Sequence, residues 1–115
     1  MDVVFVPVSY DDVLPALIQG RGDIAIANLT ITPERQYWVD FSAPLWTGVN
    51  EIAVTGPGSP DMDSLDDLAG QQVFVRLSSS YFQSLWHLNE WFGKTGKPPL
   101  AVEPAPQQLQ DEDLL

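Results

Sequence analysis

No cysteine occurs among the 115 residues, which removes disulfide scaffolds, thiol nucleophiles and thiolate zinc sites together and leaves the redox compartment open. Basic residues are scarce: Arg21, Arg35, Arg76, Lys94 and Lys97 stand against 16 acidic ones, giving a net charge of −11. Such a chain has no electrostatic footprint for phosphate backbones, so neither nucleic acid nor an anionic membrane surface is an expected partner. His87 is the lone histidine, and without a second His or Cys no metal site is expected. Apolar runs stay well short of the roughly 20 residues of a membrane span, and the opening MDVVFVPV lacks the basic n-region of a signal peptide. No G-x-S-x-G elbow is present. The acidic pairs Asp11-Asp12 and Asp66-Asp67 fall at expected helix starts, where the helix dipole accounts for them, so no catalytic residue and no cofactor are nominated.

What is present alternates between strand and helix patterns, and the expected class is α/β with parallel strands and flanking helices. Residues 3–8 form a β-branched apolar run, the pattern of a strand buried on both faces. Ser9 stands as an N-cap before residues 10–20, whose Val13, Leu14, Leu17 and Ile18 share one helical face, with Gly20 or Gly22 as the stop. Pro15 interrupts that pattern unless the helix begins near it. Residues 23–29 read as a second strand, and Thr32-Pro33-Glu34 as a cap, first position and first turn of a short helix.

A third strand is expected over 49–55, before the breaker Gly56-Pro57-Gly58-Ser59-Pro60. That breaker divides the chain into residues 1–56, with the hinge strand, and residues 57–115. In the second part, 64–70 reads as a capped single turn, 72–77 as a strand, 80–92 as a helix ended between Gly93 and Pro99, and 100–103 as a strand. Residues 107–115 read as a helix that starts and stops without a cap, which suggests an excerpt of a longer protein.

Two segments carry binding chemistry. The segment from Thr30 to Arg35 lies at the carboxyl end of an expected parallel strand, where open α/β sheets take ligands, and combines a hydroxyl, helix amides and a guanidinium. An Arg fork matches both oxygens of a carboxylate. The other reading of Arg35 is a structural pair with Glu34, Asp40 or another acid. Ser78-Ser79-Ser80 is a second anion-binding candidate at a helix start, although capping needs only one of the three. Trp86 falls with Phe82 and Phe92 on a helical stripe and reads as core, and the other tryptophans read as structural too, with Trp46, between Pro44 and Gly48 at an expected crossing, the one to watch for a ligand.

The string GDIAIANLTITPER, residues 22–35, followed by Val39-Asp40-Phe41-Ser42-Ala43-Pro44, resembles the family 3 extracellular solute-binding proteins, periplasmic amino-acid binders of the two-lobed type II fold. Leu65-Asp66-Asp67-Leu68-Ala69-Gly70 and Ser78-Ser79-Ser80 extend the resemblance over nearly the whole chain. It implies that this is a fragment of that α/β fold. It also implies that Arg35 grips the carboxylate of a small-molecule ligand, an amino acid or a peptidoglycan-derived peptide, helped by Thr30 and, from the opposite lobe, by Ser79 and Ser80. Asn28 stands where many relatives carry a small residue or proline, which points to a different ligand. The resemblance further implies a non-enzymatic binding or sensor module, exported to the periplasm or cell envelope.

Within the superfamily, T-G-V-x-E-x-x-V-T-G-P-G, S-S-S-Y and E-D-L-L are similar to the sensor module of membrane-bound lytic murein transglycosylase F-like proteins. On that resemblance a catalytic domain, and any membrane tether, would lie in other parts of the parent. The remaining alternative is a protein-interaction module that has lost its ligand, with Arg35 paired to an acid such as Asp40. Exposed strand edges would offer a route to dimers.

Overall fold

The structure is a computed structural model that describes residues 1–106, 108 and 109. It divides into two compact units, Met1–Val49 and Asn50–Leu115.

In the first unit the Ser9 hydroxyl donates to the Asp12 carboxylate at 2.6 Å, and the Asp12 N–H returns to the Ser9 carbonyl at 3.0 Å. A 3₁₀ turn over Tyr10–Asp12 therefore precedes α1, Val13–Ile18. Pro15 sits in the first turn of α1, where an N–H has no intrahelical acceptor, so its ring costs no hydrogen bond. The helix stops at Gly20, whose φ of 73° is the left-handed conformation that favours glycine. Its N–H reaches the Leu17 carbonyl at 3.0 Å and the Arg21 N–H reaches Ala16 at 2.9 Å, the paired bonds of a Schellman stop. The next helix, α2, spans Pro33–Trp38, with Pro33 at its first position and the Thr32 hydroxyl accepting the Arg35 N–H at 3.2 Å.

The strands expected over 3–8, 23–29 and 49–55 do not form ladders among the described residues. Phe5, Ile24, Ile26 and Ile52 are exposed rather than buried on two faces. The alternation is compatible with an extended backbone, but a strand needs a neighbour in register to bond its N–H and C=O groups. No such neighbour stands beside these segments among the described residues.

The second unit has a sheet and a core. Strand β1, Gln72–Val75, pairs in parallel with β2, Ala101–Pro104, in a register that sets Val73 beside Val102. Pro104 ends β2, so its missing N–H costs no ladder bond within the strand. Between them runs α3, Ser80–Thr95, which passes through Gly93 and closes at Gly96, φ 73°. Leu85, Leu88 and Phe92, spaced i, i+3 and i+7, face inward. Fully buried Phe92 joins Leu68 and Leu100, with Met62, Ala69, Val73 and Val102 packed around them. Trp86, expected in this core, is 55% exposed, because it lies one position off the inward stripe.

Asn89 ties the chain after α3 back to the helix. Its Oδ1 accepts the Leu100 N–H at 2.7 Å and its Nδ2 donates to the Leu100 carbonyl at 3.2 Å. Leu65–Leu68 forms a 3₁₀ turn started by Asp67, whose carboxylate accepts the Ser64 N–H at 2.8 Å, the Ser64 hydroxyl at 2.9 Å and the Asp63 N–H at 3.1 Å. The Ser64 hydroxyl and these N–H groups, with a smaller contribution from Lys97, hold the Asp67 carboxyl below its ordinary range. Lys97 pairs with Asp66 and lies over the Trp91 ring, 5.0 Å from its centroid. The helix expected over 107–115 lies outside the described residues apart from 108 and 109, where the Leu109 N–H meets the Pro106 carbonyl at 3.2 Å.

Candidate functional site

Arg35 is the residue around which the first unit's candidate site is built. The Thr32-Pro33 helix start places it in the first turn of α2, and its side chain turns back along the chain rather than out to water. Nη1 donates to the Thr30 carbonyl at 2.8 Å, and the residue is 7% exposed. A guanidinium has five N–H donors in a planar fork whose shape matches both oxygens of a carboxylate, and the Thr30 carbonyl takes one of them. Helix α2 has only six residues and its start is capped by Thr32, so the chemistry of this segment is that of the guanidinium.

Thr30 meets Arg35 through its backbone oxygen, with its side chain exposed. Asn28, also exposed, accepts the Tyr10 hydroxyl on its carbonyl at 3.4 Å. Sequence reasoning passed over Tyr10 as part of a helix start. The available signal was an aromatic residue directly before α1, at the point where the turn leaves its ring outside the helical stripe. Trp46 is 77% exposed.

In the second unit, Ser79 and Ser80 are both buried. Ser79 stands at the N-cap position of α3 in an extended conformation, but its hydroxyl makes no cap bond. It donates to the Arg76 carbonyl at 2.7 Å, closing the turn between β1 and α3, and the Ser79 N–H goes to the same oxygen at 3.0 Å. Arg76 itself donates to the Leu109 carbonyl. Ser80 begins α3, and its hydroxyl points to Glu51, with Oγ 3.5 Å from Oε1. Among the described residues no three His, Cys, Asp or Glu side chains gather as a metal site requires.

The structure therefore brings Thr30 and Arg35 into direct contact, sets Asn28 beside Tyr10, and gives each of the two serine hydroxyls an internal acceptor. Buried hydrogen-bonding side chains stand in each unit, Thr32 and Arg35 in the first and Ser79 and Ser80 in the second.

A profile describing bacterial extracellular solute-binding proteins, family 3, matches residues 1–111. The amino-acid-binding protein AabA of Dichelobacter nodosus is 35% identical over 67% of this chain and 30% of its own length. The membrane-bound lytic murein transglycosylase F of Maricaulis maris (strain MCS10) is 36% identical over 70% of this chain and 17% of its own. Glutamate receptor 2 of Caenorhabditis elegans is 34% identical over 64% of this chain and 8% of its own. The chain thus spans at most 30% of the length of these relatives. No solved structure matches it.

Proposed function

Because the chain belongs to the bacterial extracellular solute-binding proteins, family 3, and is an α/β fragment of their type II fold, we propose that it supplies binding residues for one small carboxylate ligand. That ligand is an amino acid or a peptidoglycan-derived peptide. Arg35 takes the carboxylate in a bidentate grip, with its guanidinium plane set by the Thr30 carbonyl. Asn28, Thr30, Ser79 and Ser80 are the other ligand-contacting positions. The chain binds and does not turn over its ligand, and it works outside the cytoplasm, in the periplasm or cell envelope.

The buried guanidinium of Arg35, 7% exposed and held by a backbone carbonyl, is the observation that carries this reading. A guanidinium held in one orientation presents its planar fork to both oxygens of a carboxylate, which is the chemistry this reading assigns to it. AabA is named as an amino-acid-binding protein, and TcyJ of Escherichia coli (strain K12), 32% identical over 65% of this chain, as an L-cystine-binding protein.

Calorimetric and thermal-shift titration of the intact protein with amino acids and muropeptide stems tests it. A carboxylate ligand should stabilise the wild type, and Arg35→Lys, which keeps the charge but loses the fork, should weaken binding by about tenfold or more. Binding that is indifferent to Arg35→Lys would refute the role of the fork.

A second reading is favoured by the 36% identity to the Maricaulis maris transglycosylase. In it the same module regulates a lytic murein transglycosylase whose catalytic domain lies elsewhere in the parent. The parent coding sequence decides between them: a muramidase-type domain on the same polypeptide supports regulation, and its absence supports solute capture.

A further inference from the structure

The two edges of the β1–β2 sheet are not equivalent. Each strand is bonded to the other on one side and has no second ladder partner among the described residues. The Ala101 N–H reaches the Gln71 carbonyl at 2.8 Å and the Ala105 N–H reaches the Val75 carbonyl at 2.9 Å. Backbone groups alternate sides along a strand, so Val73 and Val75 direct theirs to β2, while Gln72 and Phe74 turn theirs to the open side of β1. On β2 the same alternation turns Val102 and Pro104 outward.

Pro104 has no N–H to offer at that outer edge, and Glu103 places a carboxylate on the same strand, two features that keep a further strand from pairing with β2. Strand β1 has neither. Gln72-Val73-Phe74-Val75 is uncharged, free of proline and rich in β-branched and aromatic residues, and both outward-turned residues are exposed, Phe74 by 51%. A two-stranded sheet is marginal in water, so a strand added along β1 gives ladder bonds to groups that otherwise face solvent.

In a chain of net charge −11, a strand that comes alongside a copy of itself must be neutral, and β1 meets that condition. Two copies of β1 laid antiparallel about a two-fold axis at Val73 set Gln72 opposite the partner's Phe74, and Phe74 opposite the partner's Gln72. These are the residues with outward N–H and C=O groups, so each facing pair exchanges both of its hydrogen bonds. The strand order becomes β2-β1-β1-β2, with Pro104 and Glu103 guarding both outer edges, and pairing closes at two copies. An unrelated strand on β1 would present its own open edge in turn.

We propose that the outer edge of β1 is a self-association surface, along which two copies of this chain pair antiparallel over Gln72–Val75 into one continuous sheet. Every residue involved lies in the second unit, so Arg35 and its ligand play no part.

The test is size exclusion with light scattering on the full chain from about 1 to 100 μM, the range suited to the small interface that short strands give, together with amide exchange at Gln72 and Phe74. The wild type should pass from monomer to dimer and no further, and both amides should become protected as it does. Phe74→Pro removes an outward N–H that β2 does not use, and Phe74→Lys keeps the N–H but adds a charge at an exposed position. Each should weaken dimerisation about tenfold or more with helical circular dichroism unchanged, and if the proline unfolds the sheet, the lysine variant decides alone. A monomer throughout the range, a dimer indifferent to Phe74→Lys, or growth beyond two copies overturns the proposal. So does protection of the two amides in a monomer, which would give the edge to another segment of the polypeptide.

Discussion

Around Phe92 the second unit closes apolar side chains from a 3₁₀ turn, two strands and a helix into one cluster, whereas in the first unit Ala16 is the hydrophobic residue buried among those described, alongside the polar Thr32 and Arg35. The two stretches have the same grammar of apolar runs and capped helices. They differ in pairing. Strands β1 and β2 find each other in parallel register and α3 covers them, so their apolar positions leave water together. Residues 3–8 and 23–29 have equally apolar runs but no ladder partner among the described residues, and Ile26 is 89% exposed. Hydrophobic pattern specifies which face wants burial; the partner that provides it must come from elsewhere in space.

Truncating matched apolar residues should break that comparison most visibly. Phe92→Ala is expected to destabilise the second unit by about 3–5 kcal/mol, and Ile26→Ala to stay within about 0.5 kcal/mol, both read from urea denaturation midpoints. Comparable losses at the two positions would mean that Ile26 is packed in solution. A smaller effect should follow at Asn89, whose two hydrogen bonds to Leu100 join α3 to the start of β2. Asn89→Ala leaves the Leu100 N–H without that acceptor and should cost about 1–3 kcal/mol, with faster amide exchange at Leu100 and Ala101 but not in α1.

The smallest effect belongs to Asp67. Its pKa is lowered in the folded chain by the Ser64 hydroxyl and by the Ser64 and Asp63 N–H groups, so folding favours the ionised carboxyl. Its contribution is therefore complete above the ordinary carboxylate value of 3.8 and is lost as pH falls through the lowered folded value. Melting temperature measured from pH 6 downward should fall less steeply in Asp67→Asn than in the wild type. A parallel pair of curves would remove Asp67 from the acid response.

Local signals were legible wherever a few neighbouring residues complete the structure. Thr32-Pro33-Glu34 starts α2, Pro15 marks where α1 begins, Gly20 stops it, and a Ser64-to-Gly70 turn precedes a strand that pairs in parallel with the next. The profile match over residues 1–111 bears out the resemblance drawn from residues 22–44. Less legible was what polar side chains do once the chain folds. Thr30 serves Arg35 with its carbonyl, Ser79 bonds back to Arg76 instead of capping α3, and Ser80 turns to Glu51, 29 positions away in sequence. Hydroxyls accept and donate in several directions, so sequence spacing does not select their partner.

By itself, then, the sequence determined the family, the α/β class, and the helix starts and stops, because each follows from chemistry within a turn or two of the backbone. Only the tertiary structure decided which apolar runs are buried and which stay in water. It also decided that the Arg35 guanidinium is held on a backbone oxygen, and that an acid stands beside the first residue of α3. Burial and side-chain pairing depend on groups far apart along the chain, whose meeting is set by how elements pack and not by their spacing.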